Sequence, residues 1–381
     1  MKLICNYYIR NYGSVLQSYA TFRVLNELGH DTQVICYRDR PSRKAKAEIA
    51  LRIRLKYLAD RSMVKQKVRK LLHGDGAFAR ILQSRGEAFD AFNRDVLRFT
   101  EPCDSPSDAA ACLEPGETVV IGSDQLWGPE DIIRDYHTLN WVPTGHRKVA
   151  YATSFGVKQL PKFVQERAKR FLSDMDRISV REVSGVEIVD ALTGKEVPQV
   201  CDPTLLLPGE AWADLAAPRL VEEPYIFLFF IGDNPGQRKA VGDFARRRHL
   251  KIVAIQHLDR YIASDEGIAD LTFNAASPRE FLALIRDASY VFCDSFHAAI
   301  FSVQFEKRFL IFNRYGDNAY GSRNSRIDSL CSRLGMEDRR AGEGDDLDRK
   351  IDQPVDYRRV KEALNQWRAA SLDYLQKALE E

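Results

Sequence analysis

Asp294-Ser295-Phe296-His297 is the stretch whose residue types and spacing come nearest to chemistry. It follows Tyr290-Val291-Phe292-Cys293, which reads as a buried parallel strand, and precedes the apolar run Ala298-Ala299-Ile300-Phe301-Ser302-Val303, which reads as a helix. Ser295 is a good N-cap, so Phe296 and His297 sit at the helix start, beside unpaired N–H groups and the positive end of the helix dipole. There an α/β protein can hold a small anion and set an acid or base next to it. A plainer alternative stays open: Ser295 only caps, and His297 is a satisfied turn histidine.

Other strand ends offer polar groups of complementary kinds. Asn11-Tyr12-Gly13-Ser14-Val15-Leu16-Gln17 follows the first strand, with Gly13 permitting close backbone approach at a helix start. It lacks a full dinucleotide fingerprint, which excludes NAD or FAD as an expectation. In Gly122-Ser123-Asp124-Gln125-Leu126-Trp127, Asp124 can accept hydroxyl protons and Trp127 can stack on the apolar face of a sugar; the alternative is a loop-capping Asp with a packed Trp. Val180-Arg181-Glu182 brings a guanidinium suited to carboxylate or phosphate, or else a structural ion pair with Glu182. Asn313-Arg314 and Ser322-Arg323-Asn324-Ser325-Arg326 add further arginines at the same rim. Together they outline an anion-binding donor site in one half of the chain and a hydroxyl-binding acceptor site in the other.

The elements that must position these residues alternate regularly. Strands are expected at Leu3 to Tyr8, Thr32 to Tyr37, Thr118 to Ile121, Lys148 to Ala152 and Arg177 to Arg181, with helices at Ser14 to Leu28 and Val186 to Leu192. Asp202-Pro203-Thr204-Leu205-Leu206-Leu207-Pro208-Gly209 breaks the alternation and reads as an interdomain linker. A second alternation follows, with strands at Tyr225 to Ile231, Lys251 to Ile255, Tyr290 to Cys293 and Phe309 to Asn313, and helices at Gln237 to Arg248, Pro278 to Ala288 and Ala298 to Phe305. Repeated βα units demand parallel sheets covered by helices. The expected fold is therefore α/β, two Rossmann-like lobes facing across a cleft. Residues 1–203 form the N-terminal, acceptor-side lobe and 204–355 the C-terminal, donor-side lobe. The helix in 356–381, roughly Tyr357 to Leu379, crosses back to the first lobe.

Composition narrows the function classes. The chain has 381 residues, 45% hydrophobic and 29% charged, with a net charge of +2, which suits two globular domains and argues against bulk nucleic-acid binding. The longest strongly apolar stretch, Tyr225 to Ile231, is too short to span a bilayer, and Met1-Lys2-Leu3-Ile4-Cys5 runs straight into a strand without a secretory signal. Seven scattered cysteines without a C-x-x-C pair point to a reducing cytoplasm and to neither a disulfide framework nor a metal site. One segment stands apart. Arg38 to Leu72 holds thirteen Lys or Arg against Asp39, Glu48 and Asp60, with Ile49, Leu51, Ile53, Leu55 and Leu58 among Arg52, Arg54 and Lys56. It reads as a basic amphipathic helix that meets anionic headgroups, or as a solvated helical insertion.

The ordered set Asn11-Tyr12-Gly13 with Leu16-Gln17, Gly122-Ser123-Asp124-Gln125-Leu126-Trp127, Tyr151-Ala152-Thr153-Ser154-Phe155-Gly156, Ser179-Val180-Arg181-Glu182, Asp202-Pro203-Thr204-Leu205-Leu206 and Asp294-Ser295-Phe296-His297 resembles the polysaccharide pyruvyl transferase family. The resemblance implies a GT-B-like fold and transfer of pyruvate from phosphoenolpyruvate to sugar hydroxyls as a cyclic ketal. It implies that Arg181 and His297 line the phosphoenolpyruvate pocket. Many members carry Arg two residues before this histidine where Ser295 stands here, so Arg323 or Arg326 is expected to meet the donor charge.

The expected roles are His297 as acid/base and Asp124 as the group that activates or orients an acceptor hydroxyl. Arg181 is the donor clamp, and Ser295, Phe296, Arg323, Arg326, Asn313, Asn11, Gly13, Gln17, Ser123 and Trp127 contact substrate. Neither cofactor nor metal is needed beyond phosphoenolpyruvate as donor. The expected acceptor is a lipid-linked saccharide, met in the cytoplasm at the inner face of the membrane. A GT-B nucleotide-sugar glycosyltransferase is the leading rival, and a non-catalytic carbohydrate-binding protein a weaker one.

Overall fold

The computed structural model describes residues 1–38, 42–54, 76–256, 262–314, 325–342 and 344–380. Strands β1 (Lys2–Ile4), β2 (Gln33–Val34), β3 (Thr118–Ile121), β4 (Arg147–Thr153) and β5 (Arg177–Val180) form one sheet in the order β2-β1-β3-β4-β5. Strands β6 (Tyr225–Phe229), β7 (Lys251–Ala254), β8 (Leu271–Thr272), β9 (Tyr290–Cys293), β10 (Arg308–Phe312) and β11 (Arg340–Ala341) form the second, in the order β11-β10-β9-β6-β7-β8. Every described pairing is parallel. This is a GT-B-like arrangement of two Rossmann-like lobes. The apolar runs that form β3, β6 and β9 are buried because helices cover both faces of a parallel sheet.

Each strand order reverses once. In the first sheet the reversal lies between β1 and β3, and in the second between β6 and β9. Ligands of open parallel sheets bind outside the carboxyl ends of the strands at such a reversal. Gly13, in the first turn of the helix after β1, and Asp124, in the loop after β3, stand at one reversal; the loops after β6 and β9 carry Gly232 and Ser295 at the other.

Several expectations about the elements change in detail, and the strand expected over Leu3 to Tyr8 ends at Ile4. The strand expected over Thr32 to Tyr37 ends at Val34, because the chain then turns to the segment around Phe99: Cys36 N–H donates to the Thr100 hydroxyl at 3.0 Å. The first helix begins at Tyr12 rather than Ser14, with Asn11 as its cap. The segment read as a linker is a buried crosspiece. Asp202 caps the short helix Pro203–Leu206, whose four residues are all buried against the Tyr12–Glu27 helix.

The lobes meet through side chains as well as through this crosspiece. Tyr12 stacks on Phe281 with ring centroids 4.4 Å apart and donates its hydroxyl to Ala276 O at 2.8 Å. One continuous apolar cluster runs from Leu3 and Val15 through Leu205 and Trp212 to Phe227, Phe281 and Trp367. The helix Tyr357–Glu380 returns to the first sheet: Ser371 Oγ accepts from Cys201 N–H at 3.0 Å, and Arg147 Nη1 donates to Leu379 O at 3.4 Å. Among the described residues, no helix is long and apolar enough to cross a membrane.

Candidate active site

At the start of its helix, His297 leaves the second lobe and seats itself against the first. A Cβ on Gly13 would stand 1.9 Å from His297 Nδ1, so only glycine lets the imidazole approach this close. Its other nitrogen, Nε2, lies 3.6 Å from Asp202 Oδ2, too long for a hydrogen bond, and is buried without a partner. Ser295 caps the helix, accepting from Ala298 N–H at 3.5 Å, and lies 7% exposed. The preceding residue, Asp294, is fully engaged by the β6 loop, accepting from Ile231 N–H at 2.8 Å and Gly232 N–H at 2.6 Å.

Beneath His297 lies a buried charge cluster. Arg181 Nη1 donates to Asp202 Oδ2 at 2.5 Å and to Ser123 Oγ at 3.1 Å; Nη2 reaches Asp124 Oδ1 at 3.4 Å, and Nε faces Glu182 Oε2 at 3.8 Å. Asp124 is held from the other side by the Ser14 hydroxyl, at 2.5 Å, and sits at a φ of +85°, a region aspartate enters more readily than most residues. Asp202 also accepts from Thr204 N–H at 3.0 Å and Thr204 Oγ1 at 2.7 Å. Three carboxyl groups thus surround one guanidinium.

The electrostatics follow from that ratio. Burial by itself would push both aspartates up, but the charges prevail. Arg181, then His297 and the Ser14 hydroxyl, hold Asp124 below its ordinary value. His297, then Arg181 and the Thr204 hydroxyl, hold Asp202 well below it. Burial would lower Arg181, yet Asp202, Asp124 and Glu182 raise it.

Several sequence expectations meet here and others do not. His297, Asp124, Arg181, Ser123, Gly13 and Ser295 converge, and Phe296 joins them, its ring 5.1 Å from the Arg181 guanidinium carbon and 5.3 Å from that of Arg326. Arg181 as a donor clamp needs correction. It is 3% exposed and each of its nitrogens is already aimed at a carboxylate or hydroxyl. Trp127 as a sugar platform is also corrected: it is 0% exposed, packs on Phe155 and Phe171, and donates Nε1–H to His137 O at 3.0 Å.

Gln17 is equally enclosed, donating to Ser14 O at 2.9 Å and Ser18 Oγ at 3.0 Å; it shapes the turn that aims Ser14 instead of touching substrate. Asn11 caps the same helix, accepting from Ser14 N–H at 3.3 Å. Asn313 bonds Arg340 and, through its carbonyl, Gln237 at 2.8 Å, which ties it to the β10–β11 edge. Arg323 lies outside the described residues, as do Leu55, Lys56 and Leu58 of the basic segment. Where that segment is described, Ala45 and Ile49 face the core, Arg43, Lys44 and Lys46 are exposed, and Arg52 pairs with Glu48 at 3.2 Å and covers the Phe163 ring.

Ser14 and Asp202 are the cluster members that sequence reasoning did not single out, while Glu182 pairs with Arg181 as the plainer sequence alternative has it. Asp202 carried a usable signal, an N-cap aspartate directly before proline. Among the described residues no group of three His, Cys, Asp or Glu is placed to hold a metal ion.

The model of the polysaccharide pyruvyl transferase family matches residues 11–315, a span that begins at the cap of the first helix and takes in every member of the cluster. The chain belongs to that family. No curated protein matches it. Among solved structures, a putative UDP-N-acetylglucosamine 2-epimerase from Listeria monocytogenes superposes with a TM-score of 0.51 at 11% identity, covering 97% of this chain and 90% of that one. The UDP-GlcNAc 2-epimerase from Neisseria meningitidis gives 0.45 at 9% identity over 97% and 94% of the two chains. The LPS heptosyltransferase II from E. coli gives 0.37 at 11% over 97% and 98%. At these identities the first likeness concerns the fold alone.

Proposed function

We propose that this pyruvyl transferase moves pyruvate from phosphoenolpyruvate to two hydroxyls of a lipid-linked saccharide, closing a cyclic ketal at the inner face of the cytoplasmic membrane. The observation that carries the reading is His297, delivered by one lobe's helix start to a buried carboxylate cluster on the other. His297 acts as the acid that protonates the donor's methylene carbon, leaving an oxocarbenium-like centre at the neighbouring carbon. Asp202, facing Nε2, supplies a counter-charge when the ring carries a proton. Asp124, ionised and aimed by Ser14 and Arg181, accepts the proton of the attacking hydroxyl.

The first addition yields a phosphoketal. Protonated Asp124 returns its proton to the phosphate as it leaves, which regenerates the electrophilic carbon, and the second hydroxyl closes the ring as it gives its proton to His297, restoring the acid. The role of Arg181 shifts from clamp to keystone, keeping both aspartates charged. Donor charge is met by the N–H groups at the Phe296–Gln304 helix start and by Arg326 over the Phe296 ring. Exposed Arg43, Lys44 and Lys46 suit an anionic membrane surface.

The test is direct. Purified protein with phosphoenolpyruvate and a galactose- or mannose-type acceptor should release phosphate and add a pyruvyl mass, and His297→Ala should lower kcat by ~10²–10⁴. Thermal stabilisation by UDP or GDP with none by phosphoenolpyruvate would instead favour a nucleotide-sugar transferase.

A further inference from the structure

A concavity opens on the carboxyl edge of the first sheet, away from the charge cluster. It has a volume of about 360 Å³ and is walled by the end of β1, the segment after β2, the helix Gly76–Val96 and the stretch Phe99–Asp104. This is at the small end of the ~300–1,000 Å³ typical of small-molecule sites. None of its lining residues belongs to the cluster around Arg181.

Its chemistry is specific in two respects. The apolar walls are aromatic: Tyr7 and Phe99 meet with centroids 4.8 Å apart, and Tyr37 is braced on Tyr136 at 4.5 Å. The polar groups cancel in charge, Arg38 and Arg94 against Asp90 and Asp104. Asn93 in the wall donates to Tyr7 O at 2.8 Å while its Oδ1 is buried without a partner. Rigid ring faces beside both donors and acceptors, with no net charge, suit a neutral polyhydroxylated ring. For phosphate or pyrophosphate the pull of Arg38 and Arg94 would be offset by Asp90 and Asp104.

Position links the cavity to the reaction. Part of the lining comes from the segments that follow β1 and β2, whereas Asp124 follows β3 on the other side of β1. All three strands are parallel, so both places lie on one edge of the sheet. At about 4.8 Å per strand, β2 and β3 are roughly 10 Å apart at that edge, a distance that a short oligosaccharide spans. We infer that this cavity binds a neutral hexose unit of the acceptor, next to the unit that receives the ketal. That assignment rests on the pyruvyl-transfer reading.

The decisive measurement is binding of neutral hexose disaccharides (lactose, maltose and cellobiose) to the full chain by saturation-transfer NMR, with inorganic pyrophosphate as the anionic control. At least one disaccharide should bind, and Arg94→Ala and Phe99→Ala should each weaken it by about tenfold, the effect of losing ~1.4 kcal/mol of contact. Arg94 is exposed, so its variant remains informative if Phe99→Ala fails to fold. In turnover, the KM of a disaccharide acceptor should rise in the variants toward that of the monosaccharide. Binding that is lost in the variants, in a protein that never consumes phosphoenolpyruvate, keeps the hexose site and removes the pyruvyl-transfer reading. Intact pyruvyl transfer with disaccharide affinity unmoved by both variants, or binding of pyrophosphate alone, overturns the hexose site and leaves that reading standing.

Discussion

Gly13 and His297 decide the site at the scale of single residues, because one side chain occupies the space another would need. Gly13→Ala would force a methyl into the imidazole, 1.9 Å from Nδ1. The methyl overlaps Nδ1, Cγ and Cε1 of a buried ring, so the imidazole has to leave its seat. We expect kcat to fall toward that of His297→Ala, by ~10²–10⁴, with a loss of Tm from the overpacked contact. An active Gly13→Ala enzyme would show that the seat of His297 against the first lobe is dispensable. Trp127 gives the opposite expectation. Trp127→Ala should cost ~3–5 kcal/mol of stability as a core cavity, read by urea unfolding. A folded Trp127→Ala protein whose only defect is a raised acceptor KM would restore it as a sugar platform.

At the scale of elements, the crosspiece Pro203–Leu206 and the loop after β5 act as one unit through Asp202 and Arg181. Removing one partner of a buried ion pair leaves the other uncompensated, at a cost of ~3–5 kcal/mol. Arg181→Ala should therefore lower stability first, with donor KM a secondary readout. If it unfolds like wild type and only donor affinity falls, the guanidinium is a clamp after all. The depressed carboxyls set an acid limit as well. Their contribution is present above the ~3.9 of an unfolded aspartate and is lost as pH falls below it toward the lower folded values. Asp202→Asn should flatten the acid-unfolding profile in that window, measured by circular dichroism.

For the whole molecule, a different buried group contributes in mild acid. His137 is 2% exposed, and burial, with Arg134 nearby, pushes its imidazole down to about 3. An unfolded histidine titrates near ~6.5, so between these values the unfolded chain binds the extra proton. Stability is thus full above ~6.5 and should fall by up to ~1.4 kcal/mol per pH unit down to about 3. His137→Gln should remove much of the difference between urea midpoints at about pH 7 and about pH 5. An unchanged difference would place the acid sensitivity elsewhere.

What the sequence determined by itself was the alternation: short apolar runs bounded by turn residues, such as Val119-Val120-Ile121 and Val291-Phe292-Cys293, read as strands, and the cap at Ser295 follows from local hydrogen bonding. The ordered motifs also sufficed for the family. What only tertiary structure decided was which partner each polar group takes. Arg181 meets Asp202 across 21 residues and Asp124 across 57, and nothing local specifies either pairing. Asp202 read as part of a linker because proline and glycine frame it, yet long-range packing buries it at the site. Trp127 shows the same limit. An indole beside an aspartate has one composition in a sugar site and in a core, and only the Phe155 and Phe171 rings packed on it decide between them.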